Sequence, residues 1–333
     1  MPESAENDAN DWRRLYPFAS YWVETPAGQM HFVDEGAEQA SSDVASTLLF
    51  VHGNPTWSFH WRQLIQALRK DHRCIAVDHI GCGLSDKPAR FLTLEDHIKN
   101  LISFIERLSL KDITLVAQDW GGAIGLGALQ RLHIQPSRII LFNTGAFPPR
   151  YIPWRIRMCR IPLFGRLALQ GGNLFSRAAL RMTLARKSHL EPAVRAGYLA
   201  PYDCWANRRA VYGFVKDIPS PYHDVFFDPV TAPYDDPILD PTSWGTLHAI
   251  EDLLPRFADR PSCLIWGMKD WCFRPDCLDR FIAVWPNADV HRLADVGHWV
   301  VEDAPDEAQA IVTDFISRKD VVNRESSHLS QRG

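Results

Sequence analysis

The sequence predicts an α/β fold, a mostly parallel sheet covered on both faces by helices. Three observations carry that prediction. Short apolar runs alternate with amphipathic stretches up to residue 146 and again from residue 245, the pattern left by parallel strands joined through crossover helices. Between them, from Phe147 to about Trp244, the alternation stops and prolines punctuate short helical stretches, as in a helical module inserted into the sheet domain. At the centre of the first half, Ala117-Gln118-Asp119-Trp120-Gly121-Gly122 reads as a strand, a tight corner and a helix.

The composition bounds the rest. A chain of 333 residues, 46% hydrophobic and 23% charged, is long enough to bury a large core. A net charge of −4 gives no reason to expect nucleic acid as a partner. No apolar run reaches the roughly 18 residues of a membrane span. Met1 to Asp11 is polar and acidic rather than signal-like, which makes the cytoplasm the expected location. Seven cysteines without a C-x-x-C pair point to reduced, mostly buried thiols, with no metal or cofactor expected.

Taken in order, residues up to Arg14 read as a mobile lead-in. Phe18 to Glu24 and Gln29 to Asp34 are two strands joined at Pro26 to Gly28, a hairpin. Thr47 to Val51 is a continuously apolar strand that runs into His52-Gly53-Asn54-Pro55, followed by a helix from about Trp61 to Arg69. Cys74 to Val77 is the next strand, ending in the glycine-punctuated loop Asp78 to Asp86. Leu94 to Leu108 carries Ile98, Leu101, Ile102, Ile105 and Leu108 at the three-four spacing of a half-buried helix. Strands follow at Asp112 to Val116 and Arg138 to Phe142, with a helix from Ala123 to Leu132 between them. After the helical insertion come a strand at Ser262 to Trp266, a helix near Pro275 to Val284, a strand at Asp289 to Leu293 and a closing helix at Pro305 to Ser317. The expected division is a core of residues 1–146 and 245–317, a cap of residues 147–244 and a disordered tail, 318–333.

In open sheets of this kind ligands collect at the carboxyl ends of the strands, and candidate residues gather there. Asp119 stands at the corner with a small residue two positions before it and glycine two positions after. The turn strains the nucleophile's backbone, and crowding excludes larger neighbours. Asp270 follows one later strand and His298 the next, so the order is nucleophile, acid, histidine, the order of the α/β-hydrolase fold. Taken singly, Asp119 and Asp270 could be helix caps and His298 a packed surface residue; together and in order they read as a triad.

An aspartate nucleophile narrows the chemistry. A carboxylate is ionised at neutral pH and needs no base. It suits displacement at a saturated or strained carbon, leaving an ester between Asp119 and the substrate. His298 then acts second, deprotonating a water that attacks the ester, with Asp270 orienting its ring. Backbone N–H groups of Asn54 and Trp120 are the expected oxyanion donors, and their side chains are neutral donors suited to a departing halide.

His52-Gly53-Asn54-Pro55, Gln118-Asp119-Trp120-Gly121-Gly122, Met268-Lys269-Asp270 and Gly297-His298 together resemble the haloalkane dehalogenases, over roughly Pro17 to Phe315. The resemblance implies an eight-stranded α/β-hydrolase sheet with a helical lid, Asp119 as nucleophile, His298 as base and Asp270 as acid. It also implies Asn54 with Trp120 as the halide-stabilising pair. Some members carry a glutamate acid after the sixth strand; here that strand ends Phe142-Asn143-Thr144, which favours Asp270. This combination is that of the family's third branch, which suggests self-association. The stretches Asp78 to Pro88, Tyr198 to Tyr202, Trp205 to Arg208 and Ser243 to Thr246 also resemble the β-lactone decarboxylases of bacterial long-chain olefin synthesis. Those share the triad and release an alkene and carbon dioxide. The leading expectation is dehalogenation of a small apolar haloalkane, the alternative decarboxylation of a cis-β-lactone. An epoxide hydrolase would want lid tyrosines to protonate the ring oxygen. A non-catalytic binding module is also weighed. Arg150 to Lys187 interleaves arginines with large apolar residues. That stretch reads as solvated lid helices lining a pocket, with membrane or partner-enzyme contact as the other reading.

Overall fold

The computed structural model describes residues 11–36, 47–161, 163–187, 189–219 and 243–318. Eight strands form one sheet in the order β1-β2-β4-β3-β5-β6-β7-β8. They are β1 (Tyr21–Thr25), β2 (Gly28–Glu35), β3 (Thr47–Val51), β4 (Arg73–Val77), β5 (Ile113–Asp119), β6 (Arg138–Thr144), β7 (Ser262–Gly267) and β8 (Asp289–Leu293). The hairpin β1–β2 is antiparallel, as is the β2–β4 pair, and every pairing from β4 through β3 to β8 is parallel. The central strands are apolar without alternation because both faces are covered: β3, Thr-Leu-Leu-Phe-Val, is buried at every position. At the open edge, β8 is only partly buried.

Helices α1 (Arg62–Leu68), α2 (Leu94–Arg107), α3 (Trp120–Arg131), α4 (Trp154–Arg160), α5 (Leu174–Met182), α6 (Pro192–Leu199), α7 (Arg209–Lys216), α8 (Trp244–Leu253), α9 (Pro275–Val284) and α10 (Pro305–Ser317) follow in chain order, with short turns between them. Helix α2 starts where its sequence says it should. Thr93 accepts from the Asp96 N–H, and the Asp96 side chain answers the Thr93 N–H, a reciprocal cap. Two apolar cores lie on opposite faces of the sheet. One holds Leu49, Ile98, Leu115 and Ile124, the other Phe50, Trp61, Val116 and Val312. A third, smaller cluster of Ile152, Ile156, Leu169, Tyr212 and Val215 lies among α4, α7 and the turns between α4 and α5.

Three expectations shift. The lead-in is not loose where it is described: Trp12–Leu15 forms a 3-10 helix. Trp12 meets Trp57 edge-on at 5.4 Å, and buried Tyr16 bonds Ser58. At the other end Arg318 is held by Asp289 and Asp314; the remainder of the expected tail lies outside the described residues, as does 220–242 within the expected cap. Finally, β5 runs on to Asp119 and α3 begins at Trp120 without a connecting loop. The corner is tighter than the apolar pattern indicates, since Ala117 and Gln118 still pair with Leu141 and Phe142.

Candidate active site

Asp119 sits at the corner with a positive φ, φ 54° and ψ −131°. That is a costly region for a residue with a side chain, held by what surrounds it. The crowding inferred from the small residues is visible. A Cβ on Gly121 would lie 2.1 Å from the Val51 carbonyl oxygen, and one on Gly53 2.2 Å from Asp119 Oδ1. Thr144 Oγ1 donates to the Asp119 carbonyl, pinning the strained peptide from β6.

The two oxygens of the Asp119 carboxylate have different surroundings. Oδ1 accepts the Asn54 backbone N–H at 2.7 Å. Trp120 is the first residue of α3, so its N–H has no partner within the helix and belongs to the positive end of the helix dipole. Oδ2 lies 3.6 Å from His298 Nε2. His298 Nδ1 in turn meets Asp270 Oδ2 at 2.7 Å, and Asp270 Oδ1 accepts the Cys272 N–H at 2.7 Å. The structure therefore brings all three residues of the expected triad together, from the ends of three strands. Phe273 lies parallel to the His298 ring at 5.6 Å.

The electrostatics follow from that geometry. Burial works against charge on the His298 ring, yet Asp270 and then Asp119 outweigh it, and the imidazole is pushed up to about 10. That geometry favours the charged form of the ring.

Asn54 and Trp120 also arrive at the site, and both line one cavity with Asp119 and His298. One amide N–H of Asn54 is spent on the Val211 carbonyl at 3.2 Å, while its Oδ1 is buried without a donor. The other N–H is left for a ligand. The Trp120 indole N–H makes no hydrogen bond among the described residues. Its ring is braced by Phe214 at 5.5 Å, which stacks on the buried His97 at 4.3 Å. The cavity has a volume of about 470 Å³, and beyond its polar end the walls are largely apolar, including Ile152, Leu169, Phe175, Val215 and Leu247.

Asn143, at the position where some relatives of the resembled family carry their acid, is otherwise engaged. Its amide accepts from Gly267 N–H and donates to the Gly267 and Phe273 carbonyls, so it joins the end of β6 to the end of β7. Of the lid tyrosines, Tyr198 and Tyr202 are buried on other partners, Glu302 and the Thr56 carbonyl. Among the described tyrosines, Tyr151 lines the cavity; Tyr222 and Tyr234 lie outside the described residues.

Several supporting residues escape sequence reasoning. Gln118 donates to the His298 carbonyl and accepts from His60. His60 bonds Tyr198, and Tyr198 bonds Glu302, which pairs with Arg62. Asp303, almost fully buried, accepts the N–H groups of Ala185, Arg186, Lys187 and Gly297. The available signal is weak: polar residues inside otherwise apolar segments, with no indication of their distant partners. All seven cysteines are free, with Cys204 exposed and Cys74, Cys82 and Cys263 buried. Cys263, Asp289 and His291 have ligand atoms within 4.8 Å of one another at the β7–β8 edge, but Asp289 there pairs with Arg318.

A strained aspartate corner on a mostly parallel sheet, with an aspartate and a histidine after later strands, is the arrangement of a hydrolase-type enzyme. Residues 48–310 match the model of the Alpha/beta hydrolase family. The chain is 34% identical to the cis-3-alkyl-4-alkyloxetan-2-one decarboxylase of Shewanella oneidensis, over 92% of this chain and 91% of that one. It is 32% identical to haloalkane dehalogenase 2 of Mycobacterium tuberculosis, over 91% and 96%. The crystal structure of haloalkane dehalogenase DatA from Agrobacterium tumefaciens superposes with a TM-score of 0.75 at 22% identity, over 90% of this chain and 96% of that one, a likeness of fold. The chain belongs to the alpha/beta hydrolase family and, within it, is related to both the haloalkane dehalogenases and the cis-3-alkyl-4-alkyloxetan-2-one decarboxylases.

Proposed function

We propose that the protein breaks the bond between a carbon and an anionic leaving group by direct attack of Asp119, and that it acts as a haloalkane dehalogenase. The observation that carries this reading is the asymmetry of the Asp119 carboxylate: Oδ1 is tied to the Asn54 N–H, and Oδ2 is left on the His298 side. Oδ2 attacks the halogen-bearing carbon, the carbon–halogen bond breaks, and the halide leaves with the electron pair toward the Asn54 amide and the Trp120 indole. Water deprotonated by His298 then adds to the Asp119 carbonyl carbon. The developing oxyanion at Oδ1 takes the Asn54 and Trp120 backbone N–H groups. Collapse returns the carboxylate and releases the alcohol.

The charge count supports this sequence of roles. While Asp119 is a carboxylate it helps keep His298 protonated. Once alkylated it is neutral, that support disappears, and the ring can shed its proton and serve as the base. Esterification itself arms the second step.

A second reading is favoured by two observations, the 34% identity to a decarboxylase along almost the whole chain and a cavity of about 470 Å³. Such a volume suits a drug-sized ligand, with room for the two alkyl chains of a cis-3,4-dialkyl-oxetan-2-one. Asp119 would open the ring at C4, the ring oxygen leaving as a carboxylate still tethered through C3. Loss of carbon dioxide would then expel the Asp119 carboxylate and form the alkene, with no water consumed.

One single-turnover experiment in heavy-oxygen water separates the two. Dehalogenation places label in the Asp119 side chain, whereas decarboxylation leaves it unlabelled. Assaying a bromoalkane and a long-chain cis-β-lactone side by side gives the preferred substrate. In His298→Gln the bromoalkane adduct accumulates and is read by intact mass; an unmodified protein, where wild type turns over, defeats the aspartyl-ester mechanism. We also propose that residues 147–244 act as a cap over the core of 1–146 and 245–317. The enzyme is taken to work in the cytoplasm and to self-associate as the family branch suggests.

A further inference from the structure

Large apolar side chains are exposed around the cavity mouth. Leu163 is 72% exposed, Trp154 63%, Leu174 56%, Leu167 54% and Phe164 53%. They come from α4, α5 and the short helical turns between them. Trp154, Phe164 and Leu174 also line the cavity, so patch and mouth are continuous. Large apolar side chains exposed side by side around an opening mark a surface that meets something apolar.

The stretch that carries them has charge of one sign, although Asp276 from α9 also lines the cavity. Between Asp119 and Glu191 the sequence contains no carboxylate. Arg150, Arg155, Arg166, Arg177 and Arg181 are exposed in this stretch, and none forms an ion pair among the described residues. Two lie against aromatic rings, Arg155 over Trp154 and Trp271, and Arg166 over Trp205. The cationic charge is therefore mixed into the apolar face. The chain as a whole is acidic, with a net charge of −4, so the local excess is not a by-product of overall composition.

We propose that this face of the cap docks on an anionic lipid bilayer and draws apolar substrate directly from the membrane into the cavity. Apolar side chains would enter the acyl boundary, arginines would meet lipid phosphates, and Trp154 would sit at the interface that indoles favour. Charge argues against a second copy of the chain as occupant, since two such faces would oppose like charges. The mouth argues against a tightly docked protein, which would plug the entrance, whereas a fluid bilayer leaves it open to an apolar molecule. The inference needs an apolar substrate but not a choice between halide and lactone.

The test uses the full chain with sucrose-loaded vesicles, either phosphatidylcholine alone or phosphatidylcholine with phosphatidylglycerol. Cosedimentation is expected to favour the anionic vesicles by at least about tenfold and to weaken as salt rises. Trp154 emission should move to the blue on binding, absent in Trp154→Leu. Two double variants avoid the cavity lining: Leu163→Ser with Leu167→Ser, and Arg177→Glu with Arg181→Glu. Each is expected to lower vesicle affinity on the order of tenfold while turnover of a short, water-soluble bromoalkane without vesicles stays unchanged. Equal sedimentation with both vesicle types, or variants that bind as wild type, overturns the proposal. So does a concentration-dependent dimer that the leucine variant abolishes, which would make the occupant a second copy. Because binding is read without turnover, a wrong substrate assignment cannot mimic failure of the docking face.

Discussion

If Asp119 helps hold the His298 proton, then removing its charge without removing its shape should release that proton. Asp119→Asn is the perturbation. Unit charges 3.6 Å apart attract by about 4–5 kcal/mol at an effective dielectric of about 20, or roughly three pH units. Delocalisation over ring and carboxylate lengthens the mean separation, so the expected fall is about two to three units from the wild-type value of about 10. Asp270 remains at 2.7 Å and keeps the variant's ring above or near the ordinary imidazole value. The assay is an NMR titration of the His298 ring nitrogens in both proteins. A shift below half a unit would show that Asp119 is electrically irrelevant to the histidine and would remove the arming argument. Stability gives a second check, with its sign set by the same shift. A histidine raised in the folded state contributes stability that is fully present below about pH 6.5 and lost as pH rises toward about 10. Wild type should therefore lose stability across that window, and Asp119→Asn should lose less.

Three further substitutions probe the supports. Asn54→Ala removes the side-chain donor but keeps the backbone N–H to Asp119, so kcat on bromoalkanes should fall by about 10²–10³; equal rates would deny the amide a part in leaving-group stabilisation. Gly121→Ala drives a Cβ to 2.1 Å from the Val51 carbonyl oxygen, so unfolding by denaturant should reveal a loss of about 2–3 kcal/mol or more, and an unchanged midpoint would contradict the crowding at the corner. Asp303→Asn replaces an acceptor of four backbone N–H groups by an amide with one acceptor oxygen. It should cost about 3 kcal/mol and lower kcat with it, because Gly297 precedes the base; full activity in a destabilised protein would separate the two.

The centre of the sheet was legible in the sequence because buried parallel strands are apolar throughout, and β3 falls at the residues its apolar run indicates, as do α9 and α10 at theirs. The candidate triad stood out for another reason: a corner needs small neighbours, and Ala117 and Gly121 flank Asp119 at the required offset. What escaped notice depends on distance. Gln118 reads as an odd polar residue in a strand until its partners appear, His60 and the carbonyl of His298, far away in the chain. Nothing in the sequence around Glu302 marks it as buried, where Arg62 and Tyr198 close on it. Proline-rich stretches such as Phe147 to Trp244 hold no period from which packing can be inferred. That is why the exposure of Leu163 and Trp154 came from the coordinates and not from the pattern.

These hidden partners bear on how the site is kept in order. On the proposed mechanism His298 stays within reach of Asp119 while the carboxylates beside it fall from two to one in each turnover, so its position cannot depend on attraction to Asp119. The structure supplies other restraints. Gln118 binds the His298 carbonyl, and Asp303 binds the Gly297 N–H just before it. Trp299 N–H donates to the Thr183 carbonyl just after it. Asp303 and Thr183 tie that loop to the segment 183–187, which continues from the cavity-lining helix α5. His298 is thus held through its backbone, by groups whose charge the proposed reaction does not alter, which leaves the ring free to act as that reaction requires. The same anchors join the His298 loop to the segment Ala185 to Lys187, so a disturbance there should reach His298 before it reaches Asp119.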